Sequence, residues 1–515
     1  MTERLASLLG LFVLVGIGYA LSEARRRVPW RVVLVGTLLQ VVLALFLVRA
    51  PWVPWMLPAA AGACLLVVVR DAVRPSASFA PLVARGLAYV ALLAVTLHLV
   101  VAALPPGYAA LLLAGGAAAA VAAWRVPAAR VPLAIAGCVG VPFLVLTGRV
   151  PTDFVFRALD GVGKGVTGAA GFATRGADMV FGGLRAAGGF VFAIDVGAII
   201  LLFSALMALL HYVGFLPWLV GVFARFFHRA LRVSGAESLA TAANIFIGQT
   251  EAPFVIRPFL PRLTRSETMA LMAGGFATIA GSVLGAYVNI LAGAGLARGA
   301  ADLIAASVMS APAAFVFAKL MVPERETPET LVGPGPLADR LGSSALDALA
   351  GGVGAGLRLA VNVVAMLLVF YAIVAMLNAA VDGVARLCGA RATTFQSLYA
   401  YAFQPFAWLM GVRADECYAV GELLGTKTIF NEFVGYEAMA GMLREGRLST
   451  RAAVLSTYAL CGFANLMSIG VQIGGLSSLC PERRPLYVSL ALRAMIAGSL
   501  ACQMTACIVG VIGAF

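Results

Sequence analysis

Apolar runs of helix length recur along the chain, and they limit what it can fold into. They lie near 5–22, 31–49, 53–69, 86–104, 108–124, 131–148, 190–212, 268–293, 301–320, 357–381, 449–473 and 485–512. Each is close to the ~20 residues that carry a helix across a bilayer. Lipid offers the backbone no hydrogen-bond partners, so only helices and closed barrels span it. Barrel strands are shorter, about 10 residues, and alternate in polarity. The sequence therefore predicts an all-α polytopic membrane protein. Charged residues make up 12% of the chain, about half of what soluble domains carry. The run from Leu5 to Leu21 reads as a retained first span: it has no clear small-x-small cleavage site, and Arg25, Arg26 and Arg27 follow it.

The net charge of +13 comes from arginines at the ends of apolar runs. That placement sets topology and does not form a basic stripe for nucleic acid. With the arginines cytoplasmic, both termini lie outside an inner or plasma membrane. The eight cysteines form no CxxC pair, and the three histidines are scattered. Disulfides, structural zinc and a histidine metal centre are not expected.

Two stretches, 236–260 and 413–438, are apolar but interrupted by polar and turn residues. Each precedes a Gly-Phe-Ala helix: GQTEAPFVIRP then GGFATIAGSVLGAY at 274–287, and GELLGTKTIFNEFVGYEAM then CGFANLMSIGVQIGG at 461–475. Basic flanks put the first stretch on the cytoplasmic side; the second lacks them and should enter from the other face. This is the pattern of an inverted-repeat transporter with two re-entrant hairpins, two unwound helices and interfacial helices. Residues 150–188 are Gly-rich and amphipathic, which suits an interfacial segment. The polar linker 322–350 divides the halves.

The chemistry concentrates in the interrupted stretches. Glu251 sits between membrane-grade apolar segments, where an ionisable group costs several kcal/mol unless it faces a cavity or a partner. Pro253 and Gly248 favour a broken helix there, and a break frees backbone groups to bind polar ligands. Glu422 and Glu432 are the counterparts in the second half, with Lys427 between them. Asn465 offers a donor and an acceptor, and Phe463 a flat face. Carboxylates for hydroxyls, an amide for a base edge and an aromatic face together suit a nucleoside. The GVGKGVTG segment at 161–168 is not a P-loop, because Ala158 stands where glycine is needed and Gly165 follows Lys164. No motif of an intramembrane enzyme is present.

The segments NIFIGQTEAPFVIRPFLPRLT, GGFATIAGSVLGAY, GELLGTKTIFNEFVGYEAM, ALCGFANLMSIGVQIGGL and LALRAMIAGSLACQMTACIVG resemble concentrative nucleoside transporters, from about residue 150 to the end. The first two spans are also similar to the family's opening pair. The resemblance implies a cation–nucleoside symporter assembled as a homotrimer. It places Gly248, Gln249, Thr250, Glu251 and Val283 on the nucleobase side, and Glu422, Asn465 and Ser468 on the ribose side, with Phe463 lining the pocket. It implies a sodium site from the Asn244 side chain, the Thr278 hydroxyl and the carbonyls of Ile247 and Ile279. The Gly248–Gln249 pair resembles the version of the motif that accepts purines and pyrimidines.

On this reading the chain divides into two scaffold helices (1–50), an inserted segment of about four spans (51–149), and interfacial and scaffold helices (150–235). The first transport repeat follows (236–321), then a linker with scaffold and interfacial helices (322–412), then the second repeat (413–515). The ligands are nucleosides and sodium, beside membrane lipid, with no cofactor. A proton-coupled symporter is the alternative, and a transport-dead receptor or scaffold on the same fold is the alternative of another class.

Overall fold

The computed structural model describes residues 2–47, 153–188, 192–296, 298–330, 343–387 and 394–513. The expected inserted spans at 51–149 lie outside the described residues. Residues 1–40 and 160–513 make up the larger of two compact units. Of the smaller unit, only short helical ends are described.

No strand occurs among the described residues. The helices are α1 (Thr2–Ala20), α2 (Trp30–Leu47), α3 (Asp153–Gly188), α4 (Phe192–Tyr212), α5 (Phe215–Leu231), α6 (Gly235–Asn244), α7 (Ala252–Val255), α8 (Arg265–Ala277) and α9 (Gly281–Gly293). They continue with α10 (Gly299–Met321), α11 (Ala345–Leu387), α12 (Phe395–Leu409), α13 (Cys417–Ile429), α14 (Glu432–Arg444), α15 (Thr450–Leu460), α16 (Leu466–Leu479) and α17 (Arg484–Ile512). Both interrupted stretches form helical hairpins, α6–α7 and α13–α14. Both Gly-Phe-Ala runs break at mid-length, between α8 and α9 and between α15 and α16. Residues 161–168 lie inside α3, a helix rather than a phosphate-cradling loop.

The core is α17 and α10. α17 lies along α1, α8, α10, α15 and α16. α10 is buried along nearly its whole length. α11 lies against α4, with Leu357, Val361, Leu368 and Met376 exposed. α3 exposes Val162, Phe172, Met179 and Val180. Among the described residues, six helices, with α8 and α9 counted as one, are long and apolar enough to cross a membrane. Their exposed apolar faces are what a lipid-facing surface requires.

Local sequence explains where the hairpins and breaks begin. α6 starts at Ser234 and α8 at Thr264, each with a glutamate three residues on (Glu237, Glu267) and both bonds of the capping box formed. The two caps are joined, because Ser234 Oγ donates to Glu267 Oε1 at 2.5 Å. Lys319, in the last turn of α10, reaches the same cluster: its Nζ lies 2.7 Å from Glu237 Oε2 and donates to Ser266 Oγ at 3.0 Å. These buried charges are paired, as burial demands. They fix the starts of α6 and α8 to one end of α10, so the opposite ends of α6 and α8, where the candidate site lies, have a common origin.

Candidate functional site

The first hairpin turns at Gly248, whose φ of +89° is left-handed and suits glycine. A Cβ there would also sit 2.6 Å from that of Ala280, so the hairpin tip lies directly on the α8–α9 break. The Gly281 amide donates to the Phe246 carbonyl at 2.8 Å, tying tip to break. Thr278 Oγ1 lies 2.9 Å from the carbonyl oxygens of both Asn244 and Gly274 and has one proton to share between them. Asn244 is 1% exposed, yet neither its Oδ1 nor its Nδ2 has a partner. A buried amide with both ends unsatisfied is rare in a native fold and marks a place for a water or an ion. Among the described residues, the Ile247 and Ile279 carbonyls accept no hydrogen bond. The four oxygens that the resemblance assigns to sodium belong to residues of the hairpin tip and the α8–α9 break, and none of them accepts a hydrogen bond among the described residues.

The second half resolves the same backbone problem differently. The α15–α16 break frees carbonyls at the end of α15, and Lys427 Nζ donates to two of them, Ala459 at 2.8 Å and Cys461 at 3.0 Å. A cation at a helix C-terminus also meets the favourable end of the helix dipole. Lys427 therefore closes the second break from within. No basic side chain hydrogen-bonds residues 278–280 at the first break among the described residues.

The substrate candidates fall into two groups. Thr250 and Glu251 are exposed at the hairpin tip, while Gln249 is buried with Oε1 unpartnered. The tip meets α8 and α16. A Cβ on Gly275 would touch Gln249 Cβ at 2.8 Å and Gln472 Nε2 at 2.5 Å, and one on Gly475 would lie 3.7 Å from Thr250 Cγ2. At the start of α16, Asn465 Oδ1 accepts from the Ser468 amide at 2.8 Å and its Nδ2 donates to Glu432 Oε2 at 3.0 Å. Tyr287, one turn beyond Val283 on α9, donates its hydroxyl to Glu432 Oε1 at 2.7 Å. Gln249, Thr250, Val283, Asn465 and Ser468 are therefore linked through α8, α9, α14 and α16. Phe463 is half-buried in the break beside them.

Glu422 stands apart. No hydrogen bond or ion pair joins it to the Asn465–Glu432 pair among the described residues. Its Oε2 lies 3.7 Å from Arg447 Nη2. Asn465 also differs from its sequence-level reading as a free donor and acceptor, because its carbonyl oxygen caps α16 and its amide nitrogen serves Glu432.

Sequence reasoning missed Tyr287, Gln472 and Arg447. Tyr287 follows Val283 by four residues and Gln472 follows Ser468 by four, so helical spacing carried a signal for both. Arg447 had none: it lies beyond the end of α14, and only folding brings it to α13.

Three family models match the chain: the Na+ dependent nucleoside transporter N-terminus over residues 9–67, a nucleoside recognition model over 193–294, and the Na+ dependent nucleoside transporter C-terminus over 302–510. An uncharacterized transporter of Haemophilus influenzae is 41% identical over 361 residues, which is 69% of this chain and 85% of that protein. Solute carrier family 28 member 3 of Mus musculus is 37% identical over 73% of this chain and 54% of its own length. Sodium/nucleoside cotransporter 1 of Rattus norvegicus is 36% identical over 74% of this chain and 59% of its own length. The chain thus spans just over half of these mammalian relatives. Among solved structures, CNTnw in an inward-facing substrate-bound state matches with a TM-score of 0.68 and 34% identity, over 99% of this chain and 98% of that one.

Paired hairpins and broken helices around a buried core, with these relatives, define a multi-pass membrane transporter and not an enzyme. The chain belongs to the concentrative nucleoside transporter family, the sodium-dependent nucleoside transporters of the matching models.

Proposed function

We propose that this protein is a sodium-coupled symporter that imports nucleosides, purine and pyrimidine alike, across the cell membrane. The observation that carries the choice of ion is the contrast between the two breaks. The second is closed by the ammonium of Lys427. The first presents an orphaned, buried Asn244 beside the Thr278 hydroxyl and two free carbonyls. Hard, neutral oxygen donors suit a hard cation supplied from outside. Sodium is cargo here and is released with the nucleoside.

Coupling follows from the bonds around the site. A cation held between Asn244, Thr278 and the carbonyls of Ile247 and Ile279 fixes the end of α6 against the α8–α9 break. The Gly281–Phe246 bond passes that order to the tip, which presents Gln249, Thr250 and Glu251 to the nucleobase, with Val283 lining the pocket. Glu422, Asn465 and Ser468 take the ribose, and Phe463 packs on the bound nucleoside. Sodium thus lowers the cost of ordering the residues that the substrate needs, and by linkage the substrate tightens sodium by the same factor. The two repeats have opposite orientations, both hairpins are re-entrant, both termini are non-cytoplasmic, and three copies assemble through the apolar faces.

The test is labelled uridine uptake into proteoliposomes under an imposed sodium or proton gradient, with Glu422→Gln in parallel. Sodium-driven uptake that the substitution abolishes supports the reading. Uptake driven by protons alone replaces the ion and makes Glu251, which has no hydrogen-bond or ion-pair partner among the described residues, the proton carrier. Failure of both gradients to drive uridine or adenosine uptake in folded protein overturns nucleoside transport.

A further inference from the structure

One buried side chain beside the cation residues is used by nothing described so far. Thr241 lies on α6, three residues before Asn244, so both occupy one face of the helix. It is completely buried, and its Oγ1 has no hydrogen-bond partner. A buried hydroxyl without a partner is costly, and a helical threonine has an easy remedy, the carbonyl four residues back. Thr37, Thr268, Thr278, Thr428, Thr457 and Thr505 all use it, at 2.7–2.9 Å. Thr241 does not. Its side chain turns instead toward α8: a Cβ on Gly274 would lie 3.2 Å from Thr241 Oγ1 and 3.5 Å from Asn244 Nδ2. The Gly274 carbonyl is one of the two oxygens that share the Thr278 proton. Three side chains with spare oxygen or nitrogen capacity, Thr241, Asn244 and Thr278, therefore surround one glycine, two of them orphaned and all of them buried.

We infer that the Thr241 hydroxyl is a further oxygen donor to the cation bound at the first break. The inference rests on the sodium reading above and extends it by one residue. The Asn244 and Thr278 side chains and the carbonyls of Ile247 and Ile279 supply four oxygens, whereas a hard cation in a protein gathers about six or more. Thr241 reduces that deficit from the helix that already carries Asn244. The absence of a side chain at Gly274 leaves the space in which it does so. A threonine that only filled the core would bond back to the Glu237 carbonyl and leave the amide of Asn244 alone in the gap.

The experiment is a sodium titration of labelled uridine binding to purified protein, for the wild type, Thr241→Val, Thr241→Ser and Asn244→Ala. Valine keeps the shape of threonine and removes the oxygen, and serine keeps the oxygen. The expected result is a rise of at least fivefold in the half-saturating sodium concentration for T241V, with T241S within twofold of wild type. Uridine affinity at saturating sodium should be unchanged in both. A T241V protein that titrates like wild type while N244A loses its sodium response overturns the role of Thr241 and leaves the sodium site standing. Equal shifts in T241V and T241S would assign the effect to packing and also overturn it. Uridine binding by the wild type that ignores sodium would remove the sodium reading itself, and this inference with it.

Discussion

Replacing Lys427 by methionine should destabilise the transporter severely, although it substitutes none of the substrate candidates. Lys427 is 2% exposed, and its Nζ makes two hydrogen bonds to backbone oxygens at 2.8 and 3.0 Å. Bonds that involve a charged group contribute about 1.5–3 kcal/mol each. Methionine has similar length but no donor, so the Ala459 carbonyl is left buried and unpaired; Cys502 Sγ still reaches the Cys461 oxygen. Glu432, buried and close enough to feel the Lys427 charge, loses a partly compensating cation. These effects overlap, and about 3–5 kcal/mol is the expected total. The assay is denaturant unfolding in detergent, followed by tryptophan fluorescence. Glu432→Gln in the K427M background should recover part of the loss, because it removes a buried carboxylate that the Lys427 charge helps to offset. A K427M protein that unfolds within about 0.5 kcal/mol of wild type would refute the claim that Lys427 closes the second break.

Gly462→Ala should cost at least about 2 kcal/mol, read in the same unfolding assay, because φ there is +97° and a Cβ would lie 2.6–2.7 Å from the carbonyl oxygens of Phe276 and Ala277. Arg447→Ala should tighten nucleoside binding by up to about fivefold in calorimetry, since it frees the Glu422 carboxylate; the half-exposed pair contributes at most about 1 kcal/mol. In the loop after α1, the hydrogen bond from Arg265 holds the Glu23 carboxyl below its usual value, helped by the charges of Arg493 and Arg325. A carboxyl depressed in the folded state stabilises it above the unfolded value and loses that contribution as pH falls. Unfolding midpoints of wild type and Glu23→Gln should therefore differ modestly at pH 7 and converge as pH drops below about 4.5.

Much of the fold was legible because the bilayer simplifies the problem. Helix-length apolar runs report spans directly, and a polar interruption in such a run must mark a break. The stretches around Glu251 and Glu432 are each two helices separated by a short break, and both Gly-Phe-Ala helices are interrupted. The capping boxes at Ser234 and Thr264 were also written locally, as S-x-x-E and T-x-x-E. Tyr287 and Gln472 lay within segments already singled out and needed only their helical register.

The sequence by itself determined the class of protein and the positions of the breaks, because each depends on composition and spacing over a few turns. It did not determine which polar groups are already spent. Asn465 and Asn244 are the same residue type in related surroundings. The fold satisfies one through Glu432 and the Ser468 amide and leaves the other with no partner. Lys427 reads as ambiguous in the chain and becomes the cation of the second break only when α13 lies beside the end of α15. Whether a buried donor or acceptor is free to bind a ligand depends on neighbours 30 or more residues away, and only tertiary packing brings those neighbours together.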